Sequence, residues 1–358
     1  MGPTDTPSVL TRPRTPTLRS IAAVVLTALA FGGASCVPAP DGGGTTTTSA
    51  PVTVPVPSTQ QARNDAAAWL LAQFDPEGFL PHELAPSVPD LGNQVLAVTN
   101  LAALDVGSAT AADRLARLEV DVEEYLDQGT CDRPGALART IMAVVAAGAD
   151  PRDFGDSDLV ARLESTQQPS GLFGAQPPSF DGSFRQGLAL AALSLTAPLS
   201  PTVAPGVAWL KDQQCDDGSW MMYRSVTSTD CLEIPSLQVF KDSNGTALAI
   251  LGIESVGASA DTDPTTWLSS VRGTDGGWAT SPSGPTQVSD ANSTGLVIAA
   301  LEALDVDVDA AAWDALLGFQ LGSGAFFWKQ PNRTPNRLAT LDAMVALFDD
   351  TWPEALAR

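Results

Sequence analysis

The sequence predicts an all-α fold: an (α/α)6 toroid of six helical hairpins, with an inner and an outer ring of helices. Two observations carry this expectation, a glycine-centred loop that recurs along the chain and a strict alternation of two kinds of helix. The loop stretches are Asp75-Pro-Glu-Gly78-Phe79, Gln167-Gln-Pro-Ser-Gly171-Leu-Phe173, Gln213-Gln-Cys-Asp-Asp-Gly218-Ser-Trp220, Thr274-Asp-Gly276-Gly-Trp278 and Gly322-Ser-Gly324-Ala-Phe326. Gly171 and Gly218 are 47 residues apart, Gly218 and Gly276 are 58, and Gly276 and Gly324 are 48. Gly78 and Gly171 are 93 apart, so one copy lacks its glycine. An aromatic residue stands two places after the glycine in four copies and one place after it in the first. A period of this length marks stacked supersecondary units, none of which buries its apolar face alone.

The first kind of helix is amphipathic and carries a tryptophan or leucine upstream of each signature glycine. Its members are Ala66-Ala-Ala-Trp69-Leu-Leu, Leu159-Val-Ala-Arg-Leu163, Val207-Ala-Trp209-Leu, Thr266-Trp267-Leu and Ala312-Trp313-Asp-Ala-Leu, with 114–126 repeating the pattern without the loop. Apolar residues at three- and four-residue steps opposite charge describe a solvent-facing helix. The second kind is alanine-rich and apolar nearly all round: 95–104, 136–147, 187–195, 246–253, 294–304 and 338–347. Helices without a polar face are buried on every side, which makes them the inner ring. An open solenoid fits the alternation as well, but its inner helices would expose a polar concave face.

The hydrophobic fraction of 44% supplies a sizeable core, and a formal charge of −22 repels nucleic acid and anionic membrane surfaces. Residues 1–35 read as a lipoprotein-like signal peptide. Arg12, Arg14 and Arg19 precede a short apolar run, which ends in Gly33-Ala34-Ser35-Cys36, similar to a bacterial lipobox with Gly33 where leucine is usual. Cys36 is the candidate lipidation site; cleavage after Ala30 is the rival. Residues 36–60 are a Pro/Gly/Thr-rich tether that cannot pack, and 61–358 form the folded domain. The expected location is extracytoplasmic, as a membrane lipoprotein or a secreted monomer, with the lipid as its sole membrane contact.

In an oxidising compartment the 16-residue spacing of Cys215 and Cys231 makes them the expected disulfide. Cys131 is then a free and buried thiol. No metal site is expected: no CxxC spacing occurs, and His82 is the only histidine.

Trp209-Leu-Lys-Asp-Gln213-Gln-Cys-Asp-Asp-Gly218-Ser-Trp220 resembles the QW-type repeat of the terpenoid cyclase and protein prenyltransferase β-subunit superfamily. Trp267 to Trp278 repeats it without the glutamine, and Trp313 to Phe326 repeats it with Gln320. Asp242-Ser-Asn-Gly-Thr246 and Asp290-Ala-Asn-Ser-Thr294 resemble inner-helix starts of the intrinsic factor and transcobalamin toroids. Secreted actinobacterial proteins with prenyltransferase/squalene oxidase repeats look most similar. The resemblance spans roughly 61–350 and implies a toroid that hosts cyclases, transferases or non-catalytic binders.

The chemistry of those enzymes can be sought directly. Protonation-initiated cyclases carry DxDD, and the nearest string, Asp305-Val-Asp307-Val-Asp309, has no adjacent pair and reads as a solvated helix end. The zinc triad of prenyltransferases cannot be assembled from His82, which reads as an exposed loop residue. A glycosidase needs two carboxylates across a cleft. Asp181, Asp242 and Asp290 precede inner helices, where they either rim the ring mouth or, with Asn244 and Asn292, cap those helices. Thr246 and Thr294 fall one turn inward. These seven residues are the candidate ligand mouth. The tryptophans read as staples between hairpins. No catalytic residue and no cofactor is assigned. The expected function is non-catalytic binding of a small molecule or an envelope partner at the ring mouth; an envelope enzyme, an atypical cyclase or a glycosidase, is the alternative.

Overall fold

The computed structural model describes residues 58–105, 108–127, 129, 131–175, 181–224, 231–233, 240–282 and 287–357. Cys36, the signal segment and most of the tether lie outside them. Val54 to Arg358 form one unit; the other, Met1 to Thr53, falls among the residues not described.

Helices α1 (Thr59–Leu71), α3 (Ser108–Glu119), α6 (Leu159–Ser165), α8 (Val203–Asp212), α10 (Pro264–Ser270) and α12 (Ala310–Leu317) form the outer ring. The inner ring is α2 (Leu91–Ala103), α5 (Pro134–Ala146), α7 (Ser183–Thr196), α9 (Ser243–Ser255), α11 (Ala291–Ala303) and α13 (Arg337–Met344), with short α4 (Val122–Leu126) between α3 and α5. Each inner helix packs on the next, and α13 returns to pack on α2, so the ring is closed. Every residue of α9 from Ser243 to Ile253 is buried, as is every residue of α11 from Ala291 to Leu301. That total burial is what their missing polar face requires.

Each outer helix lies against the inner helix before it, except that α1 lies against α13. The sixth unit is therefore assembled from the two ends of the domain. Arg63 on α1 donates to the Leu104 carbonyl and pairs with Asp349, and the Asn100 amide donates to the Leu341 carbonyl at 2.8 Å. Two of the connections carry short strands. Antiparallel hairpins β1–β2 (Pro81–His82 and Ala85–Pro89) and β3–β4 (Phe327–Lys329 and Asn332–Pro335) stand before α2 and α13.

The signature loops are built by one repeated device. Gly218 has φ +90°, and a Cβ there would lie 2.5 Å from the Asp263 carbonyl oxygen, so only glycine lets the loop touch the next outer helix. The residue two places on donates its backbone N–H to the side chain of the fourth residue of the inner helix. Phe173 donates to Gln186 at 2.9 Å, Trp220 to Thr246 at 2.9 Å, Trp278 to Thr294 at 3.1 Å and Phe326 to Thr340 at 2.9 Å. In the first copy the donor is Leu80, to Gln94 at 3.0 Å, so buried Leu80 rather than Phe79 holds the aromatic position. The indole N–H groups of Trp220 and Trp278 donate to Leu210 and Leu268 at 2.8 Å, which staples loop to outer helix.

The glutamine of the repeat sits four places before the glycine and bridges two units. Gln167 reaches the Gly171 and Thr202 carbonyls, Gln214 reaches Gly218 and Thr262, and Gln320 reaches Gly324 and Ala62. In the fourth copy Arg272 takes the glutamine's place: Nε donates to the Gly276 carbonyl at 2.7 Å while the guanidinium grips Asp309, the N-cap of α12.

The Cys215–Cys231 disulfide is present. Cys131 is free but exposed, not buried, because it lies in the loop before α5 rather than on a core face. No helix among the described residues is long and apolar enough to cross a membrane.

Candidate functional site

Counting from the residue that precedes each inner helix places six side chains at one level. The sixth residue onward is Leu96 on α2, Arg139 on α5, Leu188 on α7, Leu248 on α9, Leu296 on α11 and Asp342 on α13. All six line one narrow throat, which continues past Thr99, Met142, Leu251 and Val345 to Trp352. Its free volume is about 40 Å³, so the centre of the ring is nearly filled. Close helix approach explains this. Gly187 on α7 faces Gly252 on α9, and a Cβ on Gly252 would lie 2.5 Å from the Gly187 Cα.

Above the throat, at the N-terminal end of the inner helices, the ring opens into a mouth cavity of about 620 Å³. That is an ordinary size for a small-molecule site. Its floor is Arg139, Asp342, Asn244 and Asn292, and its walls include Phe184, Trp328, Leu338, Asp90 and Thr280. Phe184, Asn244, Asn292 and Leu338 are each the second residue of their helix, one turn above the Arg139–Asp342 level. A neighbouring cavity of about 480 Å³ shares Arg139 and Phe184 and is walled by Arg133, Arg185, Asp181, Tyr125 and Tyr223.

Asp342 is held by Asn292, whose amide donates at 2.8 Å. Burial raises the carboxyl above the usual range, with repulsion from Asp290 adding to it, while the Asn292 bond and the Arg139 charge pull the other way. Arg139 makes no hydrogen bond or salt bridge among the described residues, and its guanidinium lies 5.6 Å from the Phe184 ring centroid. The side-chain oxygens of Asn244 and Asn292 are buried without a partner, although these residues are only 9% and 8% exposed. Such groups are rare in finished interiors and mark a place that expects a ligand or water.

Of the seven sequence candidates, the structure brings Asn244 and Asn292 to the cavity. Asp242 and Asp290 are buried N-caps at the helix starts and do not line the cavity, accepting from Gly245 at 2.6 Å and Ser293 at 2.8 Å. Burial holds the Asp242 carboxyl at about 7, against the lowering by its backbone donors and with Asp290 adding upward. Thr246 and Thr294 are fully buried, and their hydroxyls serve the Trp220 and Trp278 loops. Asp181 does not cap α7, whose N-cap is Gly182; it accepts from Ala175 at 2.8 Å and pairs with Arg185 at 2.5 Å, on the side cavity. His82 is exposed and lies on the mouth rim. Asp305, Asp307 and Asp309 are exposed near the opposite end of α11, and Asp309 caps α12.

Sequence reasoning missed Arg139 and Asp342. The signal was available: they are the charged residues at a level where the other four inner helices carry leucine. Reading that level requires the helix starts to be aligned first, and the loop before α5 lacks the signature glycine that aligns the others.

No family model and no curated protein matches the sequence. Solved structures do. The type II terpene cyclase MstE from Scytonema superposes with a TM-score of 0.58 at 18% identity, over 81% of this chain and 96% of that one. An inactive variant of the α-1,6-mannanase GH76A of Salegentibacter sp. HEL1_6, in complex with α-1,6-mannotriose, gives 0.55 at 9% identity over 84% and 99%. The Candida albicans protein geranylgeranyltransferase-I complexed with GGPP gives 0.50 at 13% identity over 81% and 86%. At these identities the likeness is one of architecture. The chain has the α/α toroid fold of the terpenoid cyclase and protein prenyltransferase structures.

Proposed function

We propose that this chain is a binding protein of the cell envelope whose ligand is a small molecule seated in the mouth cavity. The observation that carries this reading is the pair of buried, unpartnered asparagine oxygens beneath an open volume of about 620 Å³. A donor group on a ligand completes both. The closed throat limits the ligand to the mouth, because about 40 Å³ does not hold a folded polyene. Placement outside the cytoplasm draws on the basic, apolar, cysteine-ended N-terminus and on the Cys215–Cys231 disulfide, a bond suited to oxidising compartments. Cys36 is the proposed lipid attachment point, with 36–60 as its tether.

Native mass spectrometry of the protein purified from its own envelope tests this reading. A co-purifying small molecule, lost in Asn244→Leu and Asn292→Leu, is the expected result. Wild-type protein that carries nothing, preparation after preparation, sinks it.

One observation favours the enzyme alternative. Asp342 has a raised proton affinity at the floor of a cavity, which is what a general acid near neutral pH requires. Turnover of a saccharide or isoprenoid that disappears in Asp342→Asn, with ligand binding retained, decides for that alternative.

A further inference from the structure

We infer that the ligand of the mouth is a hydroxylated organic anion, a sugar carrying a carboxylate or a phosphate, with its anionic group on Arg139. The inference rests on the mouth reading above and names the chemistry of its occupant.

Three observations converge on this class. The first is the Arg139 guanidinium, which lines the mouth, the throat and the side cavity alike, yet makes no hydrogen bond or salt bridge among the described residues. Its Nε is buried without a partner on a half-buried side chain, and Asp342 acts on it through charge but makes no salt bridge with it, so an oxyanion matching its planar fork with two parallel bonds would complete it.

The second is local charge. The chain as a whole stands at −22, and the mouth itself carries Glu83, Asp90 and Asp342, but among the described residues the side cavity that shares Arg139 sets Arg133, Arg139 and Arg185 against the carboxylate of Asp181. Arg185 and Asp181 pair with one another, so Arg133 and Arg139 leave this wall positive on the side away from the mouth carboxylates. Low-dielectric walls of one sign concentrate ligands of the other.

The third is the donor requirement of the floor. The oxygens of Asn244 and Asn292 accept hydrogen bonds and receive none. An anion alone has no donor to give them; hydroxyl groups on the same molecule do. The Asn292 amide is fixed by its bond to Asp342, which orients the oxygen. Phe184 and Trp328 line the cavity with apolar ring surface, on which the C–H face of a sugar ring rests. Burial raises the proton affinity of Asp342, which lessens the repulsion an anion would otherwise meet.

Isothermal titration calorimetry at low salt with glucuronate, glucose 6-phosphate and glucose tests the inference on wild type, Arg139→Gln and Arg139→Lys. Glucuronate or glucose 6-phosphate is expected to bind at least about tenfold more tightly than glucose, and Arg139→Gln to abolish about that factor. Arg139→Lys keeps part of it, since charge remains and the fork is lost. The two anions distinguish a carboxylate from a phosphate ligand. If Arg139→Gln does not fold, Asn244→Asp substitutes for it: a carboxylate on the floor should weaken both anions and spare glucose. Glucose binding as tightly as the anions, or anion binding indifferent to Arg139, overturns the inference. So does the absence of binding by all three sugars. A neutral molecule found by native mass spectrometry would then leave the mouth reading standing and the anionic one rejected.

Discussion

The Gln320 side-chain amide donates to the Ala62 carbonyl at 2.8 Å, joining residues 258 positions apart. The same amide nitrogen holds the Gly324 carbonyl at 3.0 Å, as Gln167 and Gln214 hold their own loops. A bond that elsewhere links one repeat to the next here links the last repeat to the first helix, and so closes the ring. Gln320→Leu leaves both carbonyls without this donor and should cost about 1–3 kcal/mol. Urea denaturation measures it; a midpoint unchanged from wild type would show that closure does not depend on this bond.

Arg272 occupies the position of that glutamine in the fourth copy. Arg272→Gln preserves the loop bond and removes the pair with Asp309, which is 58% exposed, so its cost should stay below about 1 kcal/mol. Arg272→Ala loses both and should cost about 1 kcal/mol more. Thermal melting ranks the two. Equal losses would mean that the glutamine-like role is incidental.

Stability should rise as pH falls from 8 to 5. Burial lifts Asp242 from 3.8 to about 7 and Glu302 from 4.5 to about 7. A folded-state pKa above the unfolded one means tighter proton binding in the folded form. The resulting stability is fully present below the unfolded values and is lost as pH rises through about 7. Asp242→Asn should flatten the profile, because an asparagine caps the helix without a charge to bury. A melting temperature that climbs from pH 5 to pH 8 contradicts the prediction.

The disulfide spans 16 residues, and a loop of that length implies a stabilisation of about 3 kcal/mol by chain entropy. Reduction should lower the urea midpoint accordingly. Cys131, being exposed, should react with a thiol reagent in the native protein at one equivalent. A native protein inert to the reagent would return Cys131 to the interior.

Gly252→Ala places a methyl group against the Gly187 backbone, and neither helix has a flexible side chain to yield there. The expected cost is about 1–3 kcal/mol, from α7 and α9 forced apart. Calorimetric unfolding tests it, and an unaltered transition would show that the throat is narrow for another reason.

The ring itself was legible in the chain because its causes are local and repeated. Positive-φ glycines before Trp220, Trp278 and Phe326, alanine-rich helices without a polar side, and amphipathic partners each declare themselves within about twenty residues. The Cys215–Cys231 bond was legible for the same reason of short separation. Asn244 and Asn292 could be placed near the mouth from their distance to a helix start, but not separated from Thr246 and Thr294. Only packing shows that one pair faces the cavity while the other holds the loops.

What the sequence alone could not supply is the meeting of Arg139 with Asp342. They lie on the second and sixth inner helices, more than two hundred residues apart, and each looks like one charge in an apolar stretch. Closure of the ring brings them to one level and leaves four leucines between them, and burial then raises the proton affinity of Asp342. Local chemistry determined which helices form and which faces they bury. The circular order of those helices decided which charges share a cavity, because that depends on the return of α13 to α2, a contact no local pattern encodes.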